Sequence, residues 1–235
     1  MWRTSWLSRE VIVLPAFMGL VFLYGVLRSL EAGRLTVLIA GFAAVALCLA
    51  LFACTAMTYA CLKFLQEWHS PLTLANFTAL GCASGLTAAT ALAASLHPPL
   101  ARIFAAAALL AGALAYVLRL ASLARNARLR PRSTLQSATG VRNPKLRQIA
   151  QGAMGGSFNT REFFHNRPRA VVRAVRWTFL ALGFPVPALL LIYALPSAPA
   201  IWGAFALQVA GLLAERWYFF AEAKHPQNLY YQAIA

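Results

Sequence analysis

Long apolar runs alternate with short polar stretches along this chain, and the alternation predicts six membrane-spanning helices. The runs cover residues 11–30, 35–62, 72–96, 100–123, 177–195 and 199–223. At about 1.5 Å per residue, each is long enough to cross a hydrocarbon core of about 30 Å. The fold class is therefore all-α, a polytopic transmembrane helical bundle in one domain, residues 1–235. Between the runs lie a polar turn at 31–34, a connection at 63–71 and a His97-Pro98-Pro99 stop. A long basic block follows at 124–176. The fifth run is interrupted by Gly183-Phe184-Pro185-Val186-Pro187. Its prolines release the carbonyls of Ala181 and Gly183, as at a kink. Gly81 and Gly85 in the third run form a small-residue pair that allows close helix contact. The head before the first run contains Trp and Arg and no small-residue cleavage site, so that run reads as a retained helix.

Composition sharpens this picture. Hydrophobic residues make up 60% of the chain, more than a soluble core needs. There are 21 Lys and Arg against 6 acids, all Glu, for a net charge of +15. In a soluble protein that balance would suggest nucleic acid. Here twelve of the cations sit in the 124–176 block beside one acid, Glu162, whereas the opposite side carries only Arg28, Arg34 and Arg102. The positive-inside rule then places both termini and the block in the cytoplasm of a bacterial inner membrane, with lipid and protein rather than nucleic acid as partners. Trp6, Trp68, Trp177 and Trp217 fall at that same interface.

The candidate chemistry lies at the cytoplasmic face. Cys48, Cys54, Cys61 and Cys82 form no C-x-x-C pair and read as small buried hydrophobes, so no metal site is expected. His97 lies at the outer end of the third run. His69, His165 and His225 lie on the cytoplasmic side outside the runs, an arrangement that argues against a haem held by two histidines in the membrane. Arg28 and Arg119, each within a turn or two of a helix end, read as snorkelling cations. Glu215, Tyr218, Glu222 and His225 are spaced 3, 4 and 3 and share one helical face; Arg216, Phe220 and Lys224 share another. Carboxylate, imidazole and phenol groups near an interface can hydrogen-bond a quinone headgroup and pass its protons.

Ser5-Trp6-Leu7-Ser8-Arg9-Glu10 resembles the S-x-L-S-x-E motif of the DmsC-type anchor subunits of dimethyl sulfoxide reductases. The segment Gly156-Ser157-Phe158-Asn159-Thr160-Arg161-Glu162-Phe163-Phe164-His165 is similar to the same family, in its branch with a long basic loop. So is the segment from Glu215-Arg216-Trp217 to Asn228-Leu229-Tyr230-Tyr231. The resemblance implies a haem-free membrane anchor for an iron–sulfur electron-transfer subunit and a molybdopterin catalytic subunit. Such an anchor exchanges electrons with menaquinone or ubiquinone, in a reductase or, in related anchors, a sulfite-oxidising complex. It implies quinol binding for Glu10. Family members usually have eight spans, with two helices and a His-Leu-Gly motif ahead of the serine motif; this chain starts at the serine motif, and the resemblance implies a form without them. Together these readings nominate Glu10, His69, Glu215, Tyr218 and His225 for a quinone site and Arg161, Glu162, His165 and Arg167 for docking the iron–sulfur subunit. A small-molecule transporter and a purely structural anchor are the competing readings. For the transporter, only Gln208 and the Pro185/Pro187 kink offer polar or broken features at mid-membrane.

Overall fold

The computed structural model describes residues 2–130, 132–143, 145–147, 149–150 and 167–225. Among these residues the elements are all helical: α1 (Trp6–Ser29), α2 (Arg34–Ala60), α3 (Pro71–Leu96), α4 (Pro98–Ala127), the short α5 (Leu135–Thr139), α6 (Arg169–Gly183), α7 (Pro185–Tyr193) and α8 (Ala198–Glu222). Six spans are long and apolar enough to cross a membrane, with α6 and α7 together forming the fifth. Short connections at 30–33, 61–70, 97 and 194–197 turn successive spans back on one another. The start of α1, the 61–70 connection, the end of α4, the start of α6 and the end of α8 therefore share one end of the bundle, the near end below.

The helix ends follow local rules. Ser5 caps α1 by accepting from the Ser8 amide, so the two serines of the first motif set the helix start and put Glu10 on its second turn. Ser70 caps α3 in the same way through the Leu72 amide, with Pro71 at the first helical position. The fifth span breaks at Phe184, where Pro185 and Pro187 leave two carbonyls of the preceding turn without amide partners.

The core lies among α3, α4, α6 and α8, where Ala79, Leu80, Ala83, Ala115, Leu123, Phe179, Leu180, Phe184 and Tyr218 pack together. Small residues let these helices approach closely. At Gly211 a Cβ would meet backbone atoms of Leu182 and Gly183, so glycine there is a condition of seating the α6 end on α8. Gly81 faces the Phe52 ring of α2, whereas Gly85 faces open space, so only the first member of that pair makes a close contact. By contrast α1 buries no residue and leans on α2.

Two features differ from the sequence reading. The basic block is not loop throughout: α4 runs on to Ala127 and α6 begins at Arg169, eight residues before the predicted span. Val172, Val175 and Phe179 recur at helical spacing and pack on the core, while Arg169, Arg173 and Arg176 take the exposed side. The second difference is Arg119. It does not snorkel; its side chain is 3% exposed and points into the bundle. On α4 it continues a seam of small buried residues, Ala101, Ala105, Ala108 and Ala115, at spacings of 4, 3 and 7. A cation in that register faces a neighbouring helix rather than lipid. Arg28 is exposed.

Candidate functional site: the near end of the bundle

The polar groups of the near end fall into two neighbouring sets. The first is an ion network between α4 and α8. Buried residues of α8 recur at Ile201, Ala204, Gln208, Gly211, Glu215 and Tyr218, a stripe with spacings of 3 and 4. Glu215, 1% exposed, lies 2.8 Å from Arg119 Nε through Oε1. Its other oxygen accepts from Arg216 Nε at 2.6 Å and pairs with Arg216 Nη2 at 2.6 Å. Glu222, two turns on, lies 3.8 Å from Arg119 Nη2. Arg119 also stacks on Phe179 and Tyr218, at 5.3 and 5.9 Å from the ring centroids. An ion pair removed from water needs this many partners, because the loss of hydration is large and Coulomb attraction alone offsets it poorly. Beside the network, Asn76 donates to Ser122 Oγ at 2.6 Å and ties α3 to α4.

The second set is an aromatic cluster where α2, α3 and α8 meet the 61–70 connection. Tyr59 is its hub, with Trp68, Phe77, Phe219 and Phe220 at centroid distances of 5.4 to 5.8 Å. The Arg216 guanidinium lies over Phe77 at 4.1 Å and Phe219 at 4.7 Å, so one side chain joins the two sets. Its Nη1 is buried and has no hydrogen-bond partner among the described residues. Glu10 approaches from α1. It accepts a 2.7 Å hydrogen bond from Thr55 Oγ1, one turn before Tyr59 on α2, and is within electrostatic reach of Tyr59.

The 61–70 connection is held tightly against both sets. Trp68 Nε1 donates to the Phe219 carbonyl at 2.9 Å, and the His69 Nδ1–H donates to the Ala60 carbonyl at 2.6 Å. Both carbonyls belong to the last turn of a helix, where the helix itself supplies no amide. Thr73 and Arg125 add bonds to the Trp68, Gln66 and His69 carbonyls.

The nominated quinone residues divide accordingly. Glu215 and Tyr218 face α4 and α6, inside the ion network. Glu10 faces α2, and His69 caps α2 with one nitrogen and leaves its ring exposed. His225 meets Phe64 of the connection edge-to-face at 5.7 Å, and burial holds its pKa below the usual histidine value. Of the docking residues, Arg161, Glu162 and His165 lie outside the described residues, and Arg167 is exposed just before α6. Sequence reasoning missed Tyr59 and Phe77, read Arg119 as a snorkelling cation and assigned Arg216 only to a second helix face. The small-residue register of α4 could have revealed Arg119. Nothing in the linear sequence joins Tyr59 to Phe77 and Arg216.

Known proteins resemble this chain along its whole length. The family model described as DMSO reductase anchor subunit (DmsC) matches residues 2–221. A sulfite dehydrogenase subunit from Allochromatium vinosum is 51% identical over 249 aligned positions, covering 100% of this chain and 76% of the relative. No solved structure matches the chain. A six-span helical bundle, a family match over nearly its whole length and a relative that is one subunit of a dehydrogenase lead to one conclusion: this multi-pass protein belongs to the DmsC family, the membrane anchor subunits of dimethyl sulfoxide reductase-type oxidoreductase complexes.

Proposed function

We propose that this anchor exchanges electrons with a membrane quinone, menaquinone or ubiquinone, at the near end of the bundle, and that it carries no haem of its own. The observation that carries the reading is the Arg216 side chain. It lies over Phe77 and Phe219 with a buried N–H that lacks a partner among the described residues, within electrostatic reach of Tyr59. A quinone headgroup is a flat ring with two carbonyl acceptors. Aromatic walls fit the ring, and an N–H and an O–H fit its oxygens. Glu10, which accepts from Thr55, is the group on this side that can take or give a proton as the substrate changes redox state. His69 and His225 lie at the 61–70 connection beside this cluster. Glu215 and Tyr218 act one layer behind: the carboxylate fixes the Arg216 guanidinium, and the phenol packs against Arg119.

The near end also gathers the cations Arg128, Arg130, Arg132, Arg167, Arg169, Arg173 and Arg176. We place this end in the cytoplasm by the positive-inside rule and assign its basic loop to docking an acidic face of the iron–sulfur subunit. The molybdopterin catalytic subunit would sit beyond that subunit. The relative's name, sulfite dehydrogenase, favours an oxidising complex that delivers electrons to quinone. Replacing Arg161 and Arg167 by Glu tests the docking: the soluble subunits should leave the membrane fraction. Retention with full activity would move the docking surface elsewhere and leave anionic lipid headgroups as the better match for this charge.

A further inference from the structure

Two sequence features stay unused by the near-end site: the broken fifth span and the polar residue in the middle of the last helix. They meet in one cleft of about 220 Å³ between α3, α4, α7 and α8. Phe184, Pro185 and Pro187 of the break form one wall, Gly112 and Tyr116 of α4 another, and Gln208 of α8 lies between them. Gln208 is ten residues from Ala198 and fourteen from Glu222, so at about 1.5 Å per residue it sits near mid-span. The separation of eight positions between it and Arg216 sets this cleft apart from the aromatic cluster, by about 12 Å along α8.

Gln208 is 5% exposed, and its Oε1 has no hydrogen-bond partner among the described residues. The hydroxyl that lines the cleft on α3 is already committed: Thr87 Oγ1 donates to the Ala83 carbonyl at 3.0 Å. An unpaired acceptor at this depth is costly, because lipid supplies no donor. The Tyr116 and Phe184 rings, 4.9 Å apart, give the cleft an aromatic wall, and the small side chains of Gly112, Ala113 and Ala188 leave the rest open. A cavity of about 150 Å³ accepts benzene, so this volume suits one substituted ring and leaves no room for a long tail. Ala113 and Pro185 are exposed at the rim, so the cleft opens sideways toward the acyl chains.

We propose that this cleft binds the ring of a lipid-soluble hydroxylated aromatic, of the hydroquinone or phenol class. Its hydroxyl donates to Gln208 Oε1, and its tail lies in the bilayer. The site does not depend on quinone exchange at the near end.

The test uses the full chain in lipid nanodiscs and a decyl-tailed benzohydroquinone carrying a diazirine on the tail, kept reduced. Cross-links should concentrate in residues 108–116 and 183–191. Unlabelled hydroquinone should compete at least tenfold better than its dimethyl ether, which has the same ring and no donor. Gln208→Leu should lower labelling at least tenfold. Gly112→Leu should abolish it; a Cβ at Gly112 meets nothing within 4 Å, so the new side chain starts into open space. Glu10→Gln should leave labelling unchanged, which separates this site from the near-end one. Labelling spread evenly over lipid-facing residues, equal competition by the dimethyl ether, or full labelling of Gln208→Leu in folded protein would each overturn the proposal.

Discussion

Glu10 and Glu215 lie at the same end of the bundle and are held in opposite ways. Glu215 has Arg119 on one oxygen and Arg216 on the other, on helices that both contribute to the buried core. Glu10 accepts from one hydroxyl, on a helix pair in which α1 buries nothing. A carboxylate fixed by two guanidiniums is a structural charge, part of what ties α8 to α4. A half-buried carboxylate with a neutral partner keeps a lone pair available. The difference teaches that proximity to the interface, which the two residues share, does not decide their roles. The number and charge of their partners does. On the proposed reading, Glu215 is a positioning residue for Arg216, and Glu10 is the proton-exchanging group.

The comparison can be broken at its stronger side first. Arg119→Leu leaves Glu215 buried with one of its cationic partners gone, a change that costs about 3–5 kcal/mol in buried pairs. We expect a large fall in folded yield and in the apparent Tm of detergent-extracted protein. Arg119→Leu combined with Glu215→Leu should recover part of the loss, because that buried carboxylate is gone as well. If the single and double variants are equally unstable, the pair is incidental to packing. Gly211→Leu should follow, at about 1–3 kcal/mol, since its side chain would have to displace backbone at Leu182 and Gly183. A wild-type melting curve would mean that α6 and α8 are not seated as described. Trp68→Phe should have the smallest effect on stability. It keeps a ring against Phe219 and loses one hydrogen bond to that residue's carbonyl, worth about 0.5–1.5 kcal/mol. A loss much greater than this would show that the 61–70 connection depends on that bond alone.

Much of the fold was legible because lipid imposes length and polarity on every span. Six apolar runs became six spans, and the prolines at 185 and 187 broke the fifth where they stood. The start of α6 was hidden because Arg169, Arg173 and Arg176 masked the helical recurrence of Val172, Val175 and Phe179. At the site, the α8 face of Glu215, Tyr218 and Glu222 could be read from spacing alone. Its partner Arg119 was misread from its depth near a helix end, although the register of Ala101, Ala105, Ala108 and Ala115 on α4 points it inward. The aromatic cluster left no linear trace. Tyr59, Trp68, Phe77 and Phe219 come from three helices and a connection, and only the packing of α8 against α2 and α3 brings them together. Gln208 and the proline break were each visible, yet their meeting required the close approach at Gly211.

The central claim rests on Glu10, and one measurement addresses it most directly. Glu10→Gln keeps the side-chain shape and an oxygen for Thr55 while removing the carboxylate. In the intact complex, quinone-linked turnover and turnover with a soluble dye acting at the catalytic subunit should be measured side by side. We predict at least a tenfold loss of quinone-linked turnover, with assembly and dye-linked activity unchanged. Quinone-linked turnover equal to wild type would contradict the assignment of proton exchange to Glu10.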